Sequence, residues 1–239
     1  MEFDIITAFP GMFEGPLSHS IVKRARDKGL IELRVHDLRD YATGRHRKID
    51  DIPYGGGGGM ILMPGPLFAA VEAIRGRHPA TSSRTILLCP QGVRYDQERA
   101  KQLAVCGRLI LICGHYEGVD ERVREHLADD EISIGDYVLT GGEIPAMVMV
   151  DSLTRLLPGA LGDEDGARHD SFFEEGFDHP HYTRPANFRG WKVPDILLSG
   201  HHGRIAAWRR ARAHEATARK RPDLLKARAC GRAEAIQEH

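Results

Sequence analysis

Two segments combine residue types suited to holding a flat, polar ligand through the main chain: GHYEGVDER (residues 114–122) and IGDYVLTGGE (residues 134–143). Each mixes glycine with tyrosine and carboxylate. Glycine lets a backbone approach a ligand closely and take up positive φ, and tyrosine offers a face for a ring. Each segment also follows a short apolar run, RLILIC (108–113) and EISI (131–134), that reads as a buried strand. Loops that begin where strands end are where open α/β sheets place ligands. Either segment alone reads as an ordinary strand-to-helix turn. Two so alike and so close together point to a site.

The elements that must carry these loops are legible from periodicity. Strand-like runs recur at FDIIT (3–7), IELRVHDL (31–38), TILLC (85–89), LILIC (109–113) and EISI, and helical patterns fall between them at 19–28, 66–77, 96–105 and 117–127. This alternation predicts an α/β fold with a mostly parallel sheet covered on both faces. A longer helix is expected over 143–157, stopped by Pro158 and Gly159. Residues 159–171 are polar and glycine-bearing, which suits a linker or a loop that orders on binding. HPHYTRP (179–185) is proline-punctuated and extended, and from Pro194 the chain is rich in Arg and Ala with a helical pattern. The expected layout is an α/β domain over 1–159, a linker over 160–173 and a small helical domain over 174–239.

With 239 residues, 41% hydrophobic and 28% charged, the composition is that of an ordinary globular protein large enough for a sizeable core. No apolar run approaches the roughly 18 residues of a membrane span, and MEFDIITAFPG reads as a first strand rather than a signal peptide. The four cysteines show no CxxC spacing, and three sit in or beside apolar segments, as expected of reduced thiols in a cytosolic protein. The net charge of −1 conceals segregation: nine Lys/Arg against four Asp/Glu over 23–48, nine against two over 204–228, and four against seventeen over 114–180. Basic outer segments suit a polyanion; solvation of helix faces accounts for part of the same charge.

Several chemistries are disfavoured. DDIPYGGGGGM (50–60) has no GKS/T after its glycines, so a phosphate-binding NTPase loop is not expected. The first strand is not followed by GxGxxG, which argues against the common dinucleotide-binding fold. His169, His179, His181, His201 and His202 form neither HExxH nor a Cys/His set.

Together with PQGVRYD (90–96), DDIPYGGGGGM, DSF (170–172), HPHYTRP and SGHH (199–202), the two glycine loops closely resemble the bacterial tRNA (guanine-N1)-methyltransferases of the trefoil-knotted SPOUT superfamily. The resemblance runs from the first strand to PDLL near Asp223. It implies a knot on the C-terminal side of the sheet, in which the segments at 88–90, 114–118 and 134–142 converge on one pocket. Its occupant would be S-adenosyl-L-methionine, whose sulfonium activates a methyl group so that alignment is most of the remaining task. The positions carried over for donor binding are Leu88, Pro90, Gly114, Tyr116, Glu117, Ile134, Gly135, Asp136, Tyr137, Val138, Leu139, Gly141 and Gly142. Tyr116 and Tyr137 read equally well as core or hinge aromatics.

The acceptor implied is N1 of guanosine 37 in tRNA, next to the anticodon. That atom carries a proton and needs a base, and charge developing on O6 calls for a donor. The resemblance assigns these roles to Asp170 and Arg155; read without it, Asp170 before Ser171 is a plain helix cap. The partner implied is a tRNA anticodon stem-loop, not DNA. It would be gripped by Arg204, Arg209, Arg210, Arg212, Arg219, Lys220 and Arg221, with Trp208 as a stacking face or a core anchor. A homodimer with sites at the subunit interface is implied too. So is Mg²⁺, offsetting carboxylates such as Glu117 and Asp170, with no ligand set legible. Where the family usually has proline, the fourth residue of the glycine run is Gly58, expected to loosen a wall near the target base. A knotted enzyme acting on a ribose hydroxyl, and a noncatalytic RNA binder, stay open as alternatives.

Overall fold

A computed structural model describes residues 1–77, 82–162, 170–173 and 176–225. The chain divides into two units, Met1–Gly162 and Asp163–His239. The first is built on a five-stranded sheet of β1 (Glu2–Thr7), β2 (Glu32–Asp37), β5 (Ser83–Arg94), β6 (Arg108–Cys113) and β7 (Asp130–Ser133). Two short strands, β3 (Asp50–Asp51) and β4 (Ile61–Leu62), pair antiparallel beside it. The order β2-β1-β6-β5-β7 is parallel throughout. Parallel pairing requires a crossover for every strand. These are supplied by α1 (Ser20–Asp27), α2 (Pro64–Arg77), α3 (Gln97–Ala104) and α4 (Glu121–His126), and α5 (Glu143–Thr154) follows the last strand.

Period-two alternation sorts the strand side chains into two layers. Phe3, Ile5, Leu109, Leu111 and Cys113 face Val22 and Ala25 of α1, Leu103 of α3, and Met149 and Leu153 of α5. Ile6, Ile110, Ile112 and Leu87 face Leu67, Val71 and Ile74 of α2 and Val123 of α4. All six residues of β6 are buried, as the central strand of a doubly covered sheet must be. Arg108 begins this strand at 1% exposure and is held by Glu2, through Nη2 at 2.6 Å and Nε at 3.1 Å. Arg34 Nη1 adds a bond of 2.8 Å to the same Glu2 oxygen.

Two expected elements differ most in extent, and the helix expected over 143–157 ends at Thr154. The helix expected over 117–127 starts only at Glu121. Tyr116 at φ 58° and Gly118 at φ 128° hold the preceding residues in a turn, and Asp120 caps the helix by accepting from Arg122 N at 3.0 Å. The strand expected over 85–89 runs on to Arg94, with a register shift against β7 between Leu88 and Val93. The crossing is tight: a Cβ on Gly92 would lie 2.3 Å from Ile132 N.

Among its described residues the second unit carries two helices, α6 (Asp195–Leu198) and α7 (His202–Lys220). It also holds a small hairpin that the helical pattern does not reveal, β8 (Asn187–Phe188) with β9 (Trp191–Lys192). Arg189 and Gly190, both at positive φ, make its two-residue turn. Half of the expected linker, residues 163–169 with His169 among them, lies outside the described residues, as does Cys230. The three described cysteines, Cys89, Cys106 and Cys113, are free thiols. No helix among the described residues is long and apolar enough to cross a membrane.

Candidate active site

The middle of β5 and the carboxyl ends of β6 and β7 open onto a cavity of ≈ 330 Å³. Three chain segments line it: the middle of β5 around Leu88 and Pro90, the loop after β6 from Gly114 to Val119, and the loop after β7 from Ile134 to Gly141. Eleven of the residues expected to bind the donor stand around this space: Leu88, Pro90, Gly114, Tyr116, Glu117, Ile134, Gly135, Tyr137, Val138, Leu139 and Gly141. The other two stand apart from the lining. Asp136 is exposed at the tip of its loop. Gly142 is buried and serves packing, because a Cβ there would lie 2.6 Å from Cys113 Cα.

The two glycine loops are tied to each other. Gly142 N donates to Gly114 O at 2.8 Å, and His115 and Gly141 form an isolated antiparallel bridge. Absent side chains make this approach geometrically open. The β6 loop is braced from its other side by the glycine-run segment: Glu117 N donates to Met60 O, Leu62 N to Gly118 O and Asp120 N to Leu62 O, each at 3.0 Å. Glu117 lies over Gly59, where a Cβ would come within 2.5 Å of its Cγ. The glycine run therefore stands beside the cavity as a wall of the β6 loop.

Neither tyrosine is a core residue. Tyr116 is 43% and Tyr137 56% exposed, and both border the cavity. Burial of the hydroxyl, with Asp50 nearby, pushes the Tyr116 phenol above its ordinary range. Tyr137 curls over its own loop, its hydroxyl donating to Ile134 O at 3.2 Å. Burial also pushes up the thiols of Cys89, beside Arg124 and Glu131, and Cys113, so neither is a ready nucleophile.

Sequence reasoning passes over several lining residues, among them Gln91, His115, Thr140, Arg124 and Pro145. His115 carries a signal, since it sits inside GHYEGVDER, but nothing local distinguishes a lining histidine from a solvated one. Of the residues assigned to base chemistry, Arg155 is the half-buried C-cap of α5, its N–H donating to Asp151 O at 3.2 Å. Asp170 is exposed in the second unit, and its carbonyl accepts from Phe173 N at 3.2 Å in a turn rather than a helix start.

In the second unit, Arg204, Arg209, Arg210, Arg212, Arg219 and Lys220 are exposed along α7. Arg212 pairs with Glu215, and the half-buried Arg221 pairs with Asp223. Trp208 is half-buried with its ring 6.4 Å from that of Tyr182. His179 and His181, which show no metal spacing in the sequence, meet at Asp178, whose carboxylate accepts from both rings. Burial opposes ionisation of Asp178, but these hydrogen bonds outweigh it and hold its carboxyl below the usual range.

The fold and the cavity define an α/β protein with a glycine-walled cavity beside the carboxyl ends of neighbouring strands of a parallel sheet. Over residues 1–227 the chain matches the family described as tRNA (guanine-1)-methyltransferase TrmD. It is 57% identical over 225 residues to a tRNA (guanine-N(1)-)-methyltransferase of Geobacillus kaustophilus, covering 94% of this chain and 91% of the relative. Proteins of the same name from Dehalococcoides mccartyi and Geobacter sulfurreducens are 55% and 53% identical, each over 94% of this chain and 90% and 91% of their own lengths. The chain belongs to the tRNA (guanine-1)-methyltransferase family.

Proposed function

We propose that this protein transfers a methyl group from S-adenosyl-L-methionine to N1 of guanosine 37 in tRNA. The observation that carries the reading is the pairing of two glycine loops around one cavity, in a chain matched by this family almost from end to end. A cavity of this volume lies near the lower end of the roughly 300–1,000 Å³ usual for small-molecule sites. Two of its glycines leave no room for a side chain: a Cβ at Gly135 would strike Tyr137, and one at Gly141 would strike Glu143 and His115. Bound there, the donor would supply a methyl group on a sulfonium, ready for in-line transfer.

The chain's own part is to orient, to exclude water and to move one proton. Asp170 takes the proton from N1 as the N1–methyl bond forms and the methyl–sulfur bond breaks, its electron pair returning to sulfur. Arg155 donates to O6, where negative charge gathers. N1 lies on the Watson–Crick edge, so the base must be unpaired or flipped out, which an anticodon loop allows. The exposed cations of α7 hold the phosphate backbone.

The protein works in the cytoplasm as a homodimer. Ile144 and Val148, four residues apart on α5, are 47% and 41% exposed and give a second copy an apolar stripe to cover. The trefoil knot is adopted as the family's topology, and the close crossing of Gly92 over Ile132 is compatible with it. Mg²⁺ fits less well. The one cluster of potential ligands among the described residues, Asp178, His179 and His181, offers a single carboxylate and two imidazoles, whereas Mg²⁺ prefers oxygen.

Incubation with methyl-labelled donor and a transcript carrying guanosine beside the anticodon tests the reading. Nucleoside analysis should return 1-methylguanosine. A 2′-O-methylated nucleoside, or binding without transfer, would overturn it.

A further inference from the structure

Glu143 is the first residue of α5 and is 1% exposed. One of its oxygens, Oε1, accepts from Thr7 Oγ1 at 2.7 Å, across 136 residues of sequence. The other, Oε2, stands 3.8 Å from His115 Nδ1. That nitrogen is buried and has no hydrogen-bond partner. The separation is just too long for a hydrogen bond. Gly141 threads between the two groups, since a Cβ there would lie 2.2 Å from Oε2 and 2.5 Å from Nδ1. The His115 ring borders the cavity, its centroid 4.5 Å from that of Phe9 and 4.9 Å from that of Tyr116.

Neither a buried carboxylate nor a buried imidazole nitrogen is retained without cost unless it is paired. Both groups here meet where the two glycine loops touch. We propose that Thr7, Glu143 and His115 form a clasp that positions these loops around the donor, with the Glu143–His115 gap closing to a hydrogen bond when the cavity fills. Thr7, at the end of β1, anchors Glu143, and Glu143 in turn fixes the loop after β6 through His115. Filling the cavity presses Tyr116 and its neighbour His115 toward α5. The inference rests on the donor reading of this cavity. It makes His115 and Glu143 positioning residues, with no part in moving the proton.

The test uses the full-length protein and S-adenosylhomocysteine, the product-like ligand, measured by calorimetry. If the wild type does not bind it, the donor reading fails and the clasp is not the cause. If the wild type binds, His115→Phe, which keeps the ring packing without the nitrogen, should weaken binding about tenfold or more. His115→Asn places an amide N–H near the Nδ1 position and should recover most of that loss. Glu143→Leu, which removes the acceptor, should resemble His115→Phe in this loss. Nitrogen NMR of wild-type His115 supplies a reading that does not depend on variants folding, because Nδ1 should shift on ligand addition. Equal binding by His115→Phe and His115→Asn, or an unmoved Nδ1 resonance in the saturated wild type, would overturn the clasp.

Discussion

Gly92 passes so close over Ile132 that a Cβ on the glycine would lie 2.3 Å from the isoleucine's backbone nitrogen. A main-chain atom cannot swing aside as the end of a side chain can. Gly92→Ala should therefore cost about 3 kcal/mol or more, at the upper end of overpacking penalties. Denaturant unfolding measures it. A loss below about 1 kcal/mol would mean that β5 and β7 shift apart easily.

The glycine run contains one position of different character. Gly55, Gly56, Gly57 and Gly59 all have φ between 81° and 115°, whereas Gly58 lies outside the left-handed region and a Cβ on it would meet nothing within 4 Å. Proline belongs only where φ is negative. Gly58→Pro should be accepted and add about 0.4–1 kcal/mol by restricting the unfolded chain. Gly57→Pro should be clearly destabilising. Thermal melts of the pair decide it, and equal effects would count against this loop geometry.

If Asp170 is the base, its replacement by alanine should lower turnover by about 10²–10⁴-fold. Donor affinity, read by calorimetry, should stay within a few-fold. Parallel loss of both would make it a structural residue.

The hydrogen bond from Arg34, reinforced by Arg108, holds the Glu2 carboxyl at about 2, well below its ordinary 4.5. The folded form thus binds this proton more weakly than the unfolded chain. Its contribution is full above pH 4.5 and drains away as pH falls toward about 2. Allowing for solvent screening, the contribution is on the order of 1–2 kcal/mol. Urea unfolding of wild type and Glu2→Gln should differ by this amount at neutral pH and converge in acid. A constant difference would locate the effect in packing instead.

Lys220 and Arg210 are exposed on α7. Each alanine replacement should weaken tRNA binding across tRNA species and flatten its salt dependence by about one unit of log–log slope for each phosphate no longer neutralised. An unchanged slope would place the RNA elsewhere.

Strand and helix positions are legible because periodicity is local: RLILIC reads as buried strand in isolation and is β6 residue for residue. The helix after the β6 loop is another matter, since its pattern begins four residues before the helix does. Its start depends on the positive φ of Tyr116 and Gly118 and on main-chain bonds to Met60 and Leu62, which lie far upstream in the chain. The site is legible as motifs but not as roles. Gly142 and Gly135 look alike in sequence, yet one packs on Cys113 and the other opens the cavity.

By itself, the order of residues determined the alternating α/β architecture, the two glycine loops at strand ends and the family they belong to. Each of these rests on patterns a few residues long or on motifs in series. Only the tertiary structure decided that Thr7, His115, Gly141 and Glu143 meet at one point, that both tyrosines border the cavity, and that Gly58 alone in its run needs no left-handed backbone. The meeting follows from the parallel order β2-β1-β6-β5-β7, which brings β1 and the loops after β6 and β7 together from distant parts of the chain. No local preference encodes such a meeting, because it is fixed by strand neighbours and by what each close approach leaves room for.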